Sequence, residues 1–205
     1  MRSMNVRPVP NDVPMTNPLG TQDPVDIAVF ECLIAHGVDG VTMERIGRQV
    51  GVSRATFCRR YSTLRELVRG THARATRLIG WWVPAGRDDK RFEFEWWWAT
   101  MMEVFASPWG RAFLAMRPLA AAGAGMHEVD RRELALMPDL ERWAKVSAPV
   151  LRAMWALVIA AACPSLDEKD RETLRELVFA MVVPPPLGED AEEELAHLHA
   201  LHAPL

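Results

Sequence analysis

The sequence predicts an all-α fold, and three observations carry that expectation. Apolar residues recur at helical spacing through almost every segment, and no stretch sustains the period-two alternation of a half-buried strand. Helix-start residues stand at intervals along the chain, and glycine or proline marks the ends. Two chemistries are also segregated: a basic stretch early in the chain carries no tryptophan, and all eight tryptophans fall between Trp81 and Trp155.

About nine helices follow from these signals. Asp23-Pro24 reads as an N-cap with proline at the first helical position. Ile27, Phe30 and Ile34 recur until Gly37 stops that helix. Gly40 and Thr42 precede a short second helix, capped by Thr42, with Ile46 and Val50 on its inner side. Gly51 breaks the chain, Ser53 caps a third helix reaching Tyr61, and Phe57 is its apolar anchor. Thr63-Leu64-Arg65-Glu66 fits a capping box that opens a longer helix, with Leu67, Thr71, Leu78 and Trp82 near one face. The segment from Pro84 to Lys90 reads as a hinge.

Beyond the hinge, Asp89 to Ala106 is one predicted helix, and Ser107-Pro108 starts another that ends near Pro118. Ala120 to Gly125 is a run of small residues. Glu128 to Lys145 is helical with an interruption at Pro138, and Ser147 to Ala162 is strongly apolar. Cys163-Pro164 stops it, Ser165-Leu166-Asp167-Glu168 reads as a second capping box, and the last helix reaches Val183 before Pro184–Pro186. The expected organisation is a proline-containing tail at 1–22, an N-terminal helical unit at 23–68 whose last helix continues to about 82, a larger helical unit at 83–187, and an acidic, histidine-bearing tail at 188–205.

Composition narrows the class. Apolar residues make up 49% and charged residues 25% of the 205 positions, which is globular rather than disordered composition. Cys32, Cys58 and Cys163 are odd in number and widely spaced, so they form no disulfide framework and point to a reducing compartment. No run of eighteen apolar residues exists, and the start MRSMNVRPVPNDVP lacks the apolar stretch of a signal peptide. The expectation is a soluble cytoplasmic protein without a membrane partner.

A net charge of −3 argues at first against nucleic acid. The distribution reverses that inference. Between Met43 and Arg77 lie nine arginines against Glu44 and Glu66, a window of +7 that leaves −10 for the remainder. Such a local basic segment is an electrostatic footprint for nucleic acid. A solvated arginine face would give the same charge, because the chain prefers arginine to lysine throughout, 21 to 3.

Thr42–Val50, Gly51-Val52 and Ser53–Tyr61 have the lengths of a helix-turn-helix, whose second helix enters the DNA major groove. A glycine sits where two short helices must turn sharply. Ile46, Val50, Val52 and Phe57 can lock the pair, which leaves Arg54, Thr56, Arg59 and Arg60 to meet phosphates and base edges. The helix N-termini at Thr42 and Ser53 can themselves receive phosphate oxygens.

The stretch DIAVFECLIAHGVDGVTMERIGRQVGVSRATFCRRYSTLRELV resembles the N-terminal domain of the tetracycline-repressor (TetR) family of bacterial transcription regulators. The match is ordered: a helix ending at His36-Gly37, Thr42 before the motif, Ile46, the GVSRAT turn, Tyr61, and Leu67 after a capped start. The resemblance implies a homodimer that binds a palindromic double-stranded operator and is released by a small effector bound in the C-terminal domain. It places Arg54 and Ala55 against bases with Arg59 close by, and Thr42, Thr56 and Arg60 against phosphates. Arg45, Arg48, Ser53, Cys58 and Tyr61 complete the expected DNA-binding set. Cys58 stands where the family usually has tyrosine, and Leu64 where it often has lysine. Both departures remove common backbone contacts, for which Arg59, Arg60 or Arg65 could compensate.

The expected effector site lies in the aromatic half. Trp97, Met101 and Phe105 share one helical face, Trp98 and Met102 the next, and Trp109, Phe113, Met116, Trp143 and Trp155 extend the set. Such bulk is as compatible with core as with a pocket, but aromatic and methionine side chains line adaptable apolar pockets well. The implied effector is lipophilic and ring-bearing, and Glu95 and Glu103 leave a lipophilic cation open. The helices at 147–162 and 168–183 are the expected dimer element, with Trp155, Leu177 and Met181 as interface candidates; burial within the monomer would give the same apolar pattern. His197, His199 and His202 lack metal-ligand spacing, Cys58 reads as a small core or backbone-facing residue, and no catalytic arrangement appears. Neither metal nor cofactor is expected. The reading that competes is an all-α small-molecule-binding protein or enzyme whose basic face meets another anion.

Overall fold

Capping chemistry sets the helix starts at the N-terminal end. In the computed structural model, which describes residues 21–80, 89–121 and 125–183, Asp23 accepts a hydrogen bond from the Val25 N–H at 2.8 Å and opens α1, Pro24–His36. Thr42 accepts from Arg45 at 3.2 Å and opens α2, Met43–Gln49; Ser53 accepts from Thr56 at 3.2 Å and opens α3, Arg54–Arg60. Thr63 accepts from Glu66 at 3.1 Å and opens α4, Leu64–Ile79. Only half of the expected capping box forms there, because the Glu66 carboxylate takes the hydroxyl of Ser62 instead of the Thr63 amide. A short 3-10 turn, Val38–Gly40, links α1 to α2.

The chain continues with α5 (Lys90–Ala106), α6 (Pro108–Ala121), α7 (Met126–Ala135), α8 (Pro138–Ala144), α9 (Ala148–Ala161) and α10 (Glu168–Val182). All regular structure among the described residues is helical. The expected interruption at Pro138 is present: it sits at the first position of α8 after Met137 leaves helical backbone. Three other local expectations need correction. Pro118 does not end α6, which runs on through it to Ala121 with Ala120 and Ala121 buried. Asp167, not Ser165, caps α10 by accepting from Asp170 at 2.8 Å, since the Leu166 amide is bonded back to the Cys163 carbonyl and delays the helix start. Ile34 is exposed, and the inner side of α1 is formed by Val25, Ala28, Val29, Phe30, Cys32 and Leu33. The expected tails, the hinge before Asp89, Trp81, Trp82 and the three tail histidines lie wholly or mostly outside the described residues.

Helix α6 organises the packing, with α1, α4, α5 and α7 all against it. The α5–α6 turn is tight enough to require glycine: a Cβ at Gly110 would fall 2.0 Å from the Val104 carbonyl oxygen. Helices α9 and α10 form an antiparallel pair on α5 and α7. No single helix among the described residues is long and apolar enough to cross a membrane.

Two buried carboxylates tie α4 to its neighbours. Asp26 of α1 accepts from Thr71 Oγ1 at 2.7 Å and from Arg74 Nε at 2.7 Å, and this pairing raises the Arg74 guanidinium above its ordinary range. Glu133 of α7 accepts from Arg117 of α6 at 2.8 and 2.9 Å and from the Trp155 indole of α9 at 2.6 Å. His72 Nε2 of α4 lies 3.0 Å from Glu133 Oε1, and the His72 ring stacks on Phe113 at 4.8 Å. Burial alone would raise the Glu133 carboxyl, but the contacts and charges of His72 and Arg117 outweigh it and hold the carboxyl below its ordinary value.

Glu133→Gln leaves the Arg117 guanidinium buried with Asp130 as its remaining carboxylate and should cost about 3 kcal/mol in urea unfolding at neutral pH. Because the folded-state value is depressed, this stabilisation is complete above the unfolded-state value of roughly 4.3 and is lost as pH falls through the folded-state value. From about pH 5 to about pH 3 the wild type should therefore lose more stability than Glu133→Gln; parallel losses would refute the assignment. Gly51 adopts φ +79°, so Gly51→Ala should lower stability by about 1–2 kcal/mol in the same measurement.

Candidate nucleic-acid interface and effector cleft

The α2–α3 pair is locked from within. Ile46 and Phe57 are buried, Val50 and Val52 half-buried, and the Val52 amide donates to the Gly47 carbonyl at 2.9 Å across the turn. Gly51 supplies the left-handed backbone that this turn requires. With Phe57 committed inward, Arg54, Ala55, Thr56, Cys58, Arg59 and Arg60 are all exposed on α3. Cys58 is thus neither core nor partly covered.

The polar groups of this surface are arrayed in order. Ser53 Oγ and Thr56 Oγ1 lie 3.0 Å apart, and Arg59 Nη2 donates to Thr56 Oγ1 at 3.3 Å. Arg60 stands over the half-buried Tyr61 ring at 5.5 Å, and that ring packs on Phe57 at 4.9 Å. Arg45 is held by the Gly40 carbonyl at 2.9 Å, and Arg48 pairs with Glu44 at 2.8 Å in solvent. Arg54 has no ion pair among the described residues. A row of exposed guanidinium and hydroxyl donors on one short helix can take phosphate oxygens and the acceptor edge of guanine. Arg74, counted in the basic window, belongs instead to the internal pair with Asp26.

The aromatic half holds a cleft of about 490 Å³ between α5, α6, α9 and α10. Of the ten residues expected to line an effector pocket, Trp98, Met102 and Phe105 reach it. Trp97, Met101, Phe113, Met116, Trp143 and Trp155 are enclosed in the packed core, and Trp109 packs on Phe30 of α1 at 4.9 Å. The cause is hydrogen bonding as well as bulk. The Trp143 indole donates to Glu93 at 2.9 Å with its ring 5.3 Å from Trp97, and Trp155 is anchored on Glu133. Trp155 is also removed from the expected dimer surface, since none of it is exposed (0%). Leu177 is 48% exposed and Met181 half-buried on α10. Glu95, left open as a ligand for a cation, lies 3.5 Å from Arg175, and Glu103 does not line the cleft. The cleft's polar walls were not foreseen: Arg111 comes from α6, and Glu168, Arg171, Glu172 and Arg175 form one face of α10 at helical spacing. That spacing is the signal that could have found them.

Residues 28–71, from within α1 to the middle of α4, match the family described as bacterial regulatory proteins, tetR family. Among solved structures, a protein described as a tetR family transcription regulator from Shewanella sp. PV-4 superposes with a TM-score of 0.54 at 16% identity, covering 78% of this chain and 94% of that one. A tetR family protein from Vibrio parahaemolyticus, described as a transcriptional regulator, gives 0.54 at 16% identity, with 86% and 95% covered. At that identity the two structures show a shared fold. No curated protein matches the sequence. Its helix-turn-helix segment thus matches the tetR family of bacterial regulatory proteins over residues 28–71, and it is set in a fold similar to two structures described as belonging to that family.

Proposed function

We propose that the chain is a homodimeric, sequence-specific DNA-binding transcription regulator of the cytoplasm, and that it represses until a small lipophilic effector releases it. The supporting observation is the exposed Arg54–Arg60 face of α3, set on a packed Ile46/Phe57 pair and carrying an arginine with no counter-charge among the described residues. In this reading residues 23–68 are the DNA-binding unit and 83–187 the effector and dimer unit, and no catalysis is assigned.

The outer face of the α9–α10 pair supports dimer formation. Leu177, Ala153, Ala156 and Ala160 are exposed there and Leu174 and Met181 half-buried, a surface that a second copy can cover as a four-helix bundle. Two heads on one palindrome must present their α3 helices about 34–36 Å apart, or a multiple of that. Since α4 is bonded to α1 at one place and to α7 at another, an effector that repositions α6 or α7 changes that separation. Release requires the effector to bind the released arrangement more tightly than the DNA-bound one.

Fluorescence anisotropy over a salt series, with the DNA flanking the protein's own gene, tests the DNA reading. Arg60→Ala should reduce the salt slope by about one unit per head on every sequence, whereas Arg54→Ala should cost about 1–3 kcal/mol and blur preference at one base position. Unchanged operator preference in Arg54→Ala would remove it from base reading. Leu177→Glu places a charge on a side chain that is exposed in the monomer, so it should leave folding intact and shift sedimentation from dimer to monomer. A variant that sediments as the wild type would place the interface elsewhere.

A further inference from the structure

The cleft between α5, α6, α9 and α10 permits the effector reading to be carried to a ligand class. Its volume of about 490 Å³ lies within the span of small-molecule sites, roughly 300–1,000 Å³. Trp98, Met102 and Phe105 offer an apolar floor. The acidic groups at its wall are already matched: Glu168 pairs with Arg171 at 2.7 Å and Glu172 with Arg175 at 2.5 Å. Arg171 is further committed to the carbonyls of Ala161 and Leu166, at 3.1 and 3.3 Å, which fasten the end of α9 to the following turn.

Two donors are left over. Arg111, exposed at the start of α6, meets the Ala106 carbonyl but no carboxylate among the described residues. Arg175 Nε is buried and has no acceptor, although the other nitrogens of that guanidinium meet Glu172, Glu176 and Glu95. A buried N–H without an acceptor is rare in folded proteins and calls for a partner. Glu95 and Glu176 do not line the cleft. Because Glu95, Glu172 and Glu176 all share Arg175, the unbalanced positive charge at the wall is that of Arg111.

We propose that this cleft binds a lipophilic monoanion, with a ring or short acyl body on Trp98, Met102 and Phe105 and a carboxylate that balances Arg111 and accepts from Arg175 Nε. A cationic ligand finds no carboxylate at the wall that is not already paired. The site is also connected to the head. The Phe105 ring lies 6.1 Å from Phe113, which stacks on His72 of α4, and 6.3 Å from Trp155, which donates to Glu133, whose carboxylate lies 3.0 Å from His72 Nε2. Occupancy that shifts Phe105 therefore reaches α4 through packed rings and through one carboxylate. The proposal rests on the effector reading for its regulatory part only.

Calorimetry on the full-length protein with 4-phenylbutyrate, 4-phenylbutan-1-ol and 4-phenylbutylamine separates body from charge. The carboxylate should bind about tenfold more tightly than the alcohol, and the amine most weakly. Arg111→Gln should remove most of that preference without changing the alcohol's Kd, and Ala162→Trp, which fills the cleft, should abolish binding of all three. Equal affinities, a tighter amine, a preference that survives Arg111→Gln, or no saturable binding at about 10 mM would each overturn the monoanion assignment. DNA anisotropy with 4-phenylbutyrate forms the second arm. Binding with the carboxylate preference but no change in DNA affinity overturns the effector reading and leaves the ligand class standing. Phe113→Leu, which lies outside the cleft lining, should still bind the carboxylate yet no longer weaken on DNA; unaltered release overturns the connection to α4.

Discussion

The buried carboxylate of Glu133 is the interaction on which the arrangement of the helices depends. It is 1% exposed, and its partners come from three other helices: His72 on α4, Arg117 on α6 and Trp155 on α9. Ionised groups survive burial only when fully matched, and loss of one member leaves another charge stranded in a low-dielectric interior. Apolar side chains tolerate sliding and repacking; a bidentate guanidinium–carboxylate pair does not. One residue thereby fixes four helices relative to one another, including the helix that leaves the helix-turn-helix unit.

The Asp26 site performs the corresponding task on the same turn of α4. Thr71 and Arg74 bind α4 to α1, and His72, beside them in sequence, binds α4 to α7. Helix α4 is therefore shared, held by the head on one side and by the larger unit on the other within a single turn. A helix of sixteen residues is a stiff element of about 24 Å, so displacement at His72 is delivered to the head without much absorption along the way. Side chains at 71 and 74 face a different partner from 72 because of the helical period itself.

What was legible in the sequence is what local chemistry decides. Thr42, Ser53 and Thr63 cap the helices they were expected to cap, Gly51 takes the positive φ, and Phe57 turns inward, because each depends on residues three or four positions away. Ser165 lost its expected role to Asp167 through a turn bond from Leu166 that no periodicity shows. The proline rule failed at Pro118, where the buried end of α6 continues past it. Tryptophan clustering marked the bulk of the larger unit but not the side each ring takes, which is decided by distant acceptors: Glu93 for Trp143 and Glu133 for Trp155. The ionic hub was illegible for the same reason. Arg117 and Glu133 stand sixteen positions apart and Trp155 a further twenty-two on, with no spacing that marks them as partners.

Net charge needs the same treatment as the tryptophans. The basic window of +7 counts Arg74, yet that guanidinium is consumed by Asp26, a carboxylate counted in the acidic remainder. Arg48 is matched by Glu44 within the window. The charge available to an outside anion is thus concentrated on α3, in Arg54, Arg59 and Arg60, with Arg65, Arg69 and Arg77 exposed along α4. That concentration has a physical consequence: exposed arginines without intramolecular carboxylates keep their attraction for phosphate, whereas paired ones must break a contact first. The acidic remainder lies mostly outside the larger unit: residues 1–42 carry −3, residues 78–187 carry −2 and residues 188–205 carry −5, so the contrast with α3 is set by the chain's ends more than by the helices packed behind it.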